Sequence, residues 1–118
     1  MGRLRNYLRT YRRQWHLTQE ELAFLFGYQD QSIIARLEQD ERTITLAVAH
    51  ASELLFGVKP IEVFPAVVAG IEADVLTRMR EMHERLLQNK PTQRTLVKLE
   101  LLRKAEGRAI APTDQQQV

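Results

Sequence analysis

Residues Thr18 to Arg42 read TQEELAFLFGYQDQSIIARLEQDER, and local signals divide this stretch into two short helices about a tight turn. Thr18 is placed to accept a hydrogen bond from the Glu21 amide while the Glu21 carboxylate reaches back to the Thr18 amide, a reciprocal cap that starts a helix at Gln19. Leu22, Leu25 and Phe26 follow at helical spacing as one apolar stripe. Ala23 is small enough to let another helix cross closely over it. Gly27 ends the helix, because a glycine adopts the left-handed conformation there without the penalty that a side chain incurs. Tyr28, Gln29 and Asp30 form the turn, and Asp30, or less well Gln29, caps a following helix from about Gln31 to Glu38 that buries Ile34 and Leu37. Gln31, Ser32, Ile33, Ala35 and Arg36 are left facing outward.

Two short helices hinged at a glycine, the second with an outer face released from core duty, is the layout of a helix-turn-helix that reads a DNA groove. The capped TQEELA-like helix, the small residue at Ala23, the glycine at Gly27 and the run Ile34-Ala35-Arg36-Leu37-Glu38 resemble the helix-turn-helix family of lambdoid phage repressors and Cro proteins. The resemblance continues through Thr45-Leu46 and Leu54-Leu55-Phe56-Gly57-Val58 to Phe64, so it spans roughly residues 3 to 64. Two departures stand out: the turn is one residue longer than the commonest form, and Asp40 stands where the family often has glycine. The resemblance implies an all-α fold, with a five-helix repressor-like domain over residues 1–64. It also implies a DNA-binding transcription regulator, most often a repressor, that inserts its third helix in the major groove as a homodimer. In that reading Gln31 pairs with an adenine edge, Ile33 and Ala35 touch thymine methyls, and Ser32 or Arg36 reaches a base or phosphate. Gln19 hydrogen-bonds a phosphate at the start of its helix, and Arg42 and Thr43 hold the other side of the groove. The family also places an acid at the position of Glu38 near an arginine of the first helix, which corresponds here to Arg12. That pairing is expected to be structural.

Composition agrees with a small regulator. A chain of 118 residues with 44% hydrophobic content suffices for one compact domain and a helical extension. No apolar run is long enough for a membrane span, and the arginine-rich first 17 residues lack the apolar segment of a secretory signal, so a cytoplasmic location is expected. With no cysteine, disulfides and thiolate metal sites are excluded. His16 and His83 carry no metal spacing, and neither metal nor cofactor is expected. No glycine-rich phosphate loop or nucleophile elbow is present, so no enzymatic role is expected.

The net charge of +2 says little, but its distribution says more. Arg3, Arg5, Arg9, Arg12 and Arg13 all precede the first acidic residue, Glu20, and share a helix with the apolar positions Leu4, Leu8, Tyr11 and Trp15. That basic face is either a set of phosphate contacts or a solvated surface. Against it, Asp30, Glu38, Asp40 and Glu41 cluster around the third helix. Thr45 caps a fourth helix running to about Phe56, with Gly57 at its end. Its stripe reads Leu46, Ala49, His50, Glu53 and Leu54, so His50 and Glu53 interrupt an apolar face, either as a buried, mutually satisfied pair, the expected case, or as a sensor.

Beyond Val58 the chain changes character. Pro60 and Pro65 suit first-turn positions, giving a short helix from Pro60 to Phe64 and a long one from Pro65 to about Gln88. Val68, Ile71, Val75, Met79, Met82 and Leu86 form its apolar stripe, longer than a small core can hide, and so an expected dimer interface. A leucine-rich helix from about Thr92 to Ala105 follows, ending at Gly107, and either completes the dimer or docks a partner. Residues 65–108 are thus a helical extension for dimerisation or partner docking, and 109–118 a disordered tail. Two alternatives to a plain regulator stay open. One is an antitoxin that binds its operator and neutralises a toxin through these C-terminal helices. The other is a protein-interaction module that has lost DNA binding.

Overall fold

The computed structural model describes residues 6–109, and every regular element among them is helical. In chain order these are α1 (Leu8–Gln14), α2 (Gln19–Phe26), α3 (Ser32–Glu38), α4 (Leu46–Phe56), α5 (Pro60–Val63), α6 (Pro65–Leu87) and α7 (Gln93–Ala109). None of them is long and apolar enough to cross a membrane. Arg3, Leu4 and Arg5 of the expected first helix, and the expected tail from residue 110 onward, lie outside the described residues.

The chain divides after Ala69 into two units, five residues later than the break expected before Pro65. The reason is physical: the first turn of α6 belongs to the preceding core, with Val67 packed against it and the Val68 amide donating to the Phe64 carbonyl at 3.1 Å. In the first unit Leu8, Leu22, Ala23, Ile34, Leu37, Val48, Val63 and Phe64 form one sealed cluster. Burying a large apolar side chain of this kind contributes about 1.5–3 kcal/mol. Helix ends follow local chemistry. Thr18 and Glu21 make the reciprocal cap, Thr45 accepts from the Val48 amide at 3.2 Å, and Gly27 and Gly57 take left-handed φ values of 85° and 70°. Asp40 is also left-handed at φ 64°, as is His16 at 58° after the end of α1. A side chain pays for that conformation, so both positions hold backbone strain that a glycine would relieve.

Several buried faces differ from the sequence reading. In α2 the buried residues are Leu22 and Ala23, while Leu25 is 49% exposed, because the close crossing at Ala23 turns the helix toward its neighbours α3 and α4. Trp15 is exposed, since α1 stops at Gln14 and the chain turns away through His16. Asn6 instead is buried at the start of α1, its side-chain amide donating to the Leu37 carbonyl and its oxygen accepting from the Leu8 amide, each at 3.0 Å. The largest correction is in α4. Val48 and Ser52 are buried, whereas Leu46 and Leu54 are 84% and 74% exposed. The small residues of α4 face the core and allow close packing, and the Ser52 hydroxyl is satisfied by donating to the Val48 carbonyl at 2.8 Å. His50 and Glu53 therefore lie at the surface 3.8 Å apart, and are not a buried pair.

In the second unit α6 continues to Leu87 and is joined through residues 88–92 to α7, whose start is capped by Thr92, the hydroxyl accepting from the Thr95 amide at 3.1 Å. Gly107 does not end α7: its backbone stays helical, and the helix runs on through Ala109, a residue expected in the tail. No residue of α6 or α7 is buried. The two helices meet where His83 Nδ1 lies 3.1 Å from a Glu106 carboxylate oxygen.

Candidate functional site

The turn between α2 and α3 sets the position of α3. Asp30 accepts from the Ser32 amide at 3.0 Å, and this bond is the main reason its carboxyl is held below the ordinary carboxylate range. The helix itself begins at Ser32, so the N-cap position is Gln31, whose side chain makes no capping bond, and Asp30 acts from one residue before it rather than as the cap that was expected. Ile34 and Leu37 seal the inner side of α3 completely.

A buried polar network locks α3 to the two helices before it. Arg12 places Nε 2.5 Å and Nη2 3.3 Å from the two carboxylate oxygens of Glu38, and Nη1 donates to the Leu17 carbonyl at 2.8 Å. Gln19 adds a third donor to Glu38, from its side-chain amide at 3.1 Å. The Arg12 and Glu38 side chains are only 11% and 3% exposed, so both charges have left water and depend on these partners. Consequently Arg12 is committed to holding α1 against α3, and the Gln19 side chain, expected at a phosphate, is engaged with Glu38.

The outward side of α3 is where the expected base-reading residues fall, with some redistribution. Gln31 and Arg36 are exposed, and Ser32 and Ala35 are half-buried. Ile33 is half-buried and packs against the edge of the core, so much of its apolar surface is already spent inside the protein. Gln39, which follows the last turn of α3, is exposed and lies on the same side as Ser32, Ala35 and Arg36. It was missed because it falls at the helix end; its spacing of four from Ala35 and seven from Ser32 is the signal that could have found it. Arg42 lies with its guanidinium 5.7 Å from the centre of the Tyr28 ring, a cation–π contact tying the loop after α3 to the turn before it. Thr43 is exposed next to it.

An open cleft of about 670 Å³ adjoins the start of α3, lined by Arg9 and Arg13 of α1, His16 just after it, Thr18 and Gln19 from the start of α2, and Gln31. Arg9 and Arg13 are exposed. With Arg12 neutralised by Glu38, these two arginines supply the cleft's fixed positive charge. Helix periodicity shows the arginines sharing a surface, but only the fold brings that surface to Gln31. Among the described residues, no three histidine or acidic side chains stand where they could hold a metal ion. Compared with family models, with characterised proteins and with solved structures, the chain matches none.

Proposed function

We propose that the chain is a sequence-specific DNA-binding transcription regulator, most simply a repressor working in the cytoplasm as a homodimer, with α1 to α5 forming a repressor-like helix-turn-helix domain and α3 entering the major groove. The observation that carries this reading is the division of α3 into a sealed inner side, Ile34 and Leu37, and an open polar side, Ser32, Arg36 and Gln39, beside a basic cleft. Seven residues of helix extend about 10 Å, a length that fits a major groove about 12 Å wide. Arg9 and Arg13 then serve as phosphate contacts, which position the protein without reading sequence. Gln31, Ser32, Ala35 and Arg36 read base edges, with Ile33 contributing only its outer surface. Arg42 and Thr43 hold the far wall of the groove.

Selection from fragmented genomic DNA, followed by footprinting over a salt series, tests this reading. Gln31→Ala is expected to lose about 1–3 kcal/mol on the selected operator and to relax one base position. Arg13→Ala is expected to weaken all sequences alike and to reduce the salt slope by about one. Absence of any selected sequence, or wild-type binding by both variants, would refute the assignment. A second reading, an antitoxin that binds a toxin through α6 and α7, is supported by the uncovered apolar surface of those helices; a co-purifying small protein would favour it.

A further inference from the structure

The unit beyond Gly70 cannot seal an interior by itself. No residue of its helices is buried, and Ile71, Val75, Met82 and Leu101 are 58%, 44%, 42% and 62% exposed. Two helices of this length bury too little apolar surface to offset the entropy of ordering their chain. Between them runs an apolar groove of about 380 Å³ walled by Val75, Met79, Met82, Leu101 and Leu102, with the cationic side chains of Arg78 and Lys98 also lining it.

We propose that this groove is filled by α6 of a second copy of the chain, lying antiparallel about a two-fold axis between Arg78 and Met79, so that two α6–α7 pairs close into a four-helix bundle. The proposal deepens the dimer named above by giving its surface and direction, and its evidence is independent of DNA contact.

The spacing of the α6 stripe is what points to a second copy. A two-fold interface is self-complementary: where residue i meets residue j, residue j must meet residue i. Counted outward from the point between Arg78 and Met79, Ile71 and Leu86 are equidistant, and so are Val75 and Met82. At about 100° per residue all four lie within roughly 30° of one line along the helix. Antiparallel pairing therefore sets Ile71 level with Leu86 of the second copy and Val75 level with Met82 of the second copy. Apolar meets apolar at these four levels, and next to the axis Met79 falls level with Arg78 of the second copy. A foreign partner imposes no such symmetry on the sequence.

Charge agrees with the same axis. On one flank of the line lie Asp74, Arg78 and Arg85, and antiparallel pairing places each Asp74 between its own Arg78 and Arg85 of the second copy. On the other flank Glu72 falls near His83 of the second copy, while each His83 already meets Glu106 of its own chain. Because this axis keeps each flank on the same side of the pair, the two Arg78 side chains also lie close together beside it, each with its own Asp74 one helical turn away. The seated helix also covers Leu101 and Leu102, which is how α7 joins the core. The antiparallel arrangement separates the two Pro65 ends by about 40 Å along the helices.

The chain contains no cysteine, so an introduced thiol is the only one present. Sedimentation without DNA and disulfide crosslinking of single-cysteine variants of the full chain test the proposal together. The wild-type chain is expected to sediment as a dimer at tens of micromolar. Met79→Cys, next to the axis, is expected to crosslink to itself on mild oxidation. Ile71→Cys alone is expected to stay uncrosslinked, its two copies being about 22 Å apart, while an equimolar mixture of Ile71→Cys and Leu86→Cys crosslinks. Self-crosslinking of Ile71→Cys would show a parallel pair and overturn the register. A wild-type monomer would overturn the second copy as occupant and assign the groove to a different protein. Either result leaves the DNA selection experiment unaffected, so failure of one reading is distinguishable from failure of the other.

Discussion

The two units of this chain solve the problem of apolar surface in opposite ways. Up to Ala69, eight apolar side chains are sealed in a single cluster, and the buried polar groups Asn6, Arg12 and Ser52 each have hydrogen-bond partners within the chain. Beyond Gly70, comparable leucines, methionines and valines occupy two helices and none is buried. The difference lies in element length and angle more than in composition. Five short helices can surround a common centre, whereas two long ones touch along one line and leave their remaining apolar faces for another surface. The short-helix unit thus closes a core while still leaving Phe24, Leu46 and Leu54 largely exposed, and the long-helix unit closes none among its described residues.

Substitution at the centre of the first unit should break the contrast most severely. Phe64→Ala is expected to cost about 3–5 kcal/mol in urea unfolding, independent of protein concentration. If α6 pairs as proposed, Leu101→Ala should act mainly through a concentration-dependent midpoint, because Leu101 is 62% exposed in the single chain and would be covered on pairing. A concentration-independent loss of several kcal/mol at Leu101 would erase the distinction between the units.

Next in size is the Arg12–Glu38 pair. Removing either partner leaves a charge that has lost its water, and Glu38→Ala is expected to destabilise by about 3 kcal/mol. A double-mutant cycle with Arg12→Met should show strong coupling, the double variant recovering much of the loss. Because Gln19 also binds Glu38, the single variant should additionally loosen the start of α2, visible as faster amide exchange there. Zero coupling would return Arg12 to the set of phosphate contacts.

The smallest effect concerns the start of α3. Asp30 has its carboxyl depressed in the folded state by the Ser32 amide, so its stabilisation is fully present above the unfolded carboxylate range and is lost as pH falls through the folded value. Asp30→Asn keeps an accepting oxygen but removes the titration. The stability difference between wild type and this variant should therefore be larger near pH 6 than near pH 3, a window set by the carboxylate range. An unchanged difference across that window would show that the Ser32 contact does not distinguish the charged form.

Local chemistry was legible in the sequence. The Thr18–Glu21 cap, the left-handed Gly27 and Gly57, the cap at Thr45 and the proline starts of α5 and α6 each depend on groups within one turn of chain, so they can be read from neighbouring letters. The base-reading candidates were legible to the extent that Ile34 and Leu37 define an inner side of α3. Legibility failed where the answer depended on which neighbour a helix meets. Leu46 and Leu54 offered α4 a larger apolar face than Val48 and Ser52, yet close packing selected the smaller residues, and the same preference for close approach at Ala23 left Leu25 outside.

Sequence alone determined that this chain is helical, where most of its helices start and stop, and that its long C-terminal helices carry more apolar surface than they can hide, because periodicity and caps are properties of a helix by itself. Only the tertiary structure decided that Asn6 is buried and Trp15 exposed, that Gln19 is held by Glu38, and that Arg9, Arg13 and Gln31 line one cleft. Those outcomes depend on the angle and distance at which helices remote in sequence cross, and packing energy shared among many residues sets that angle.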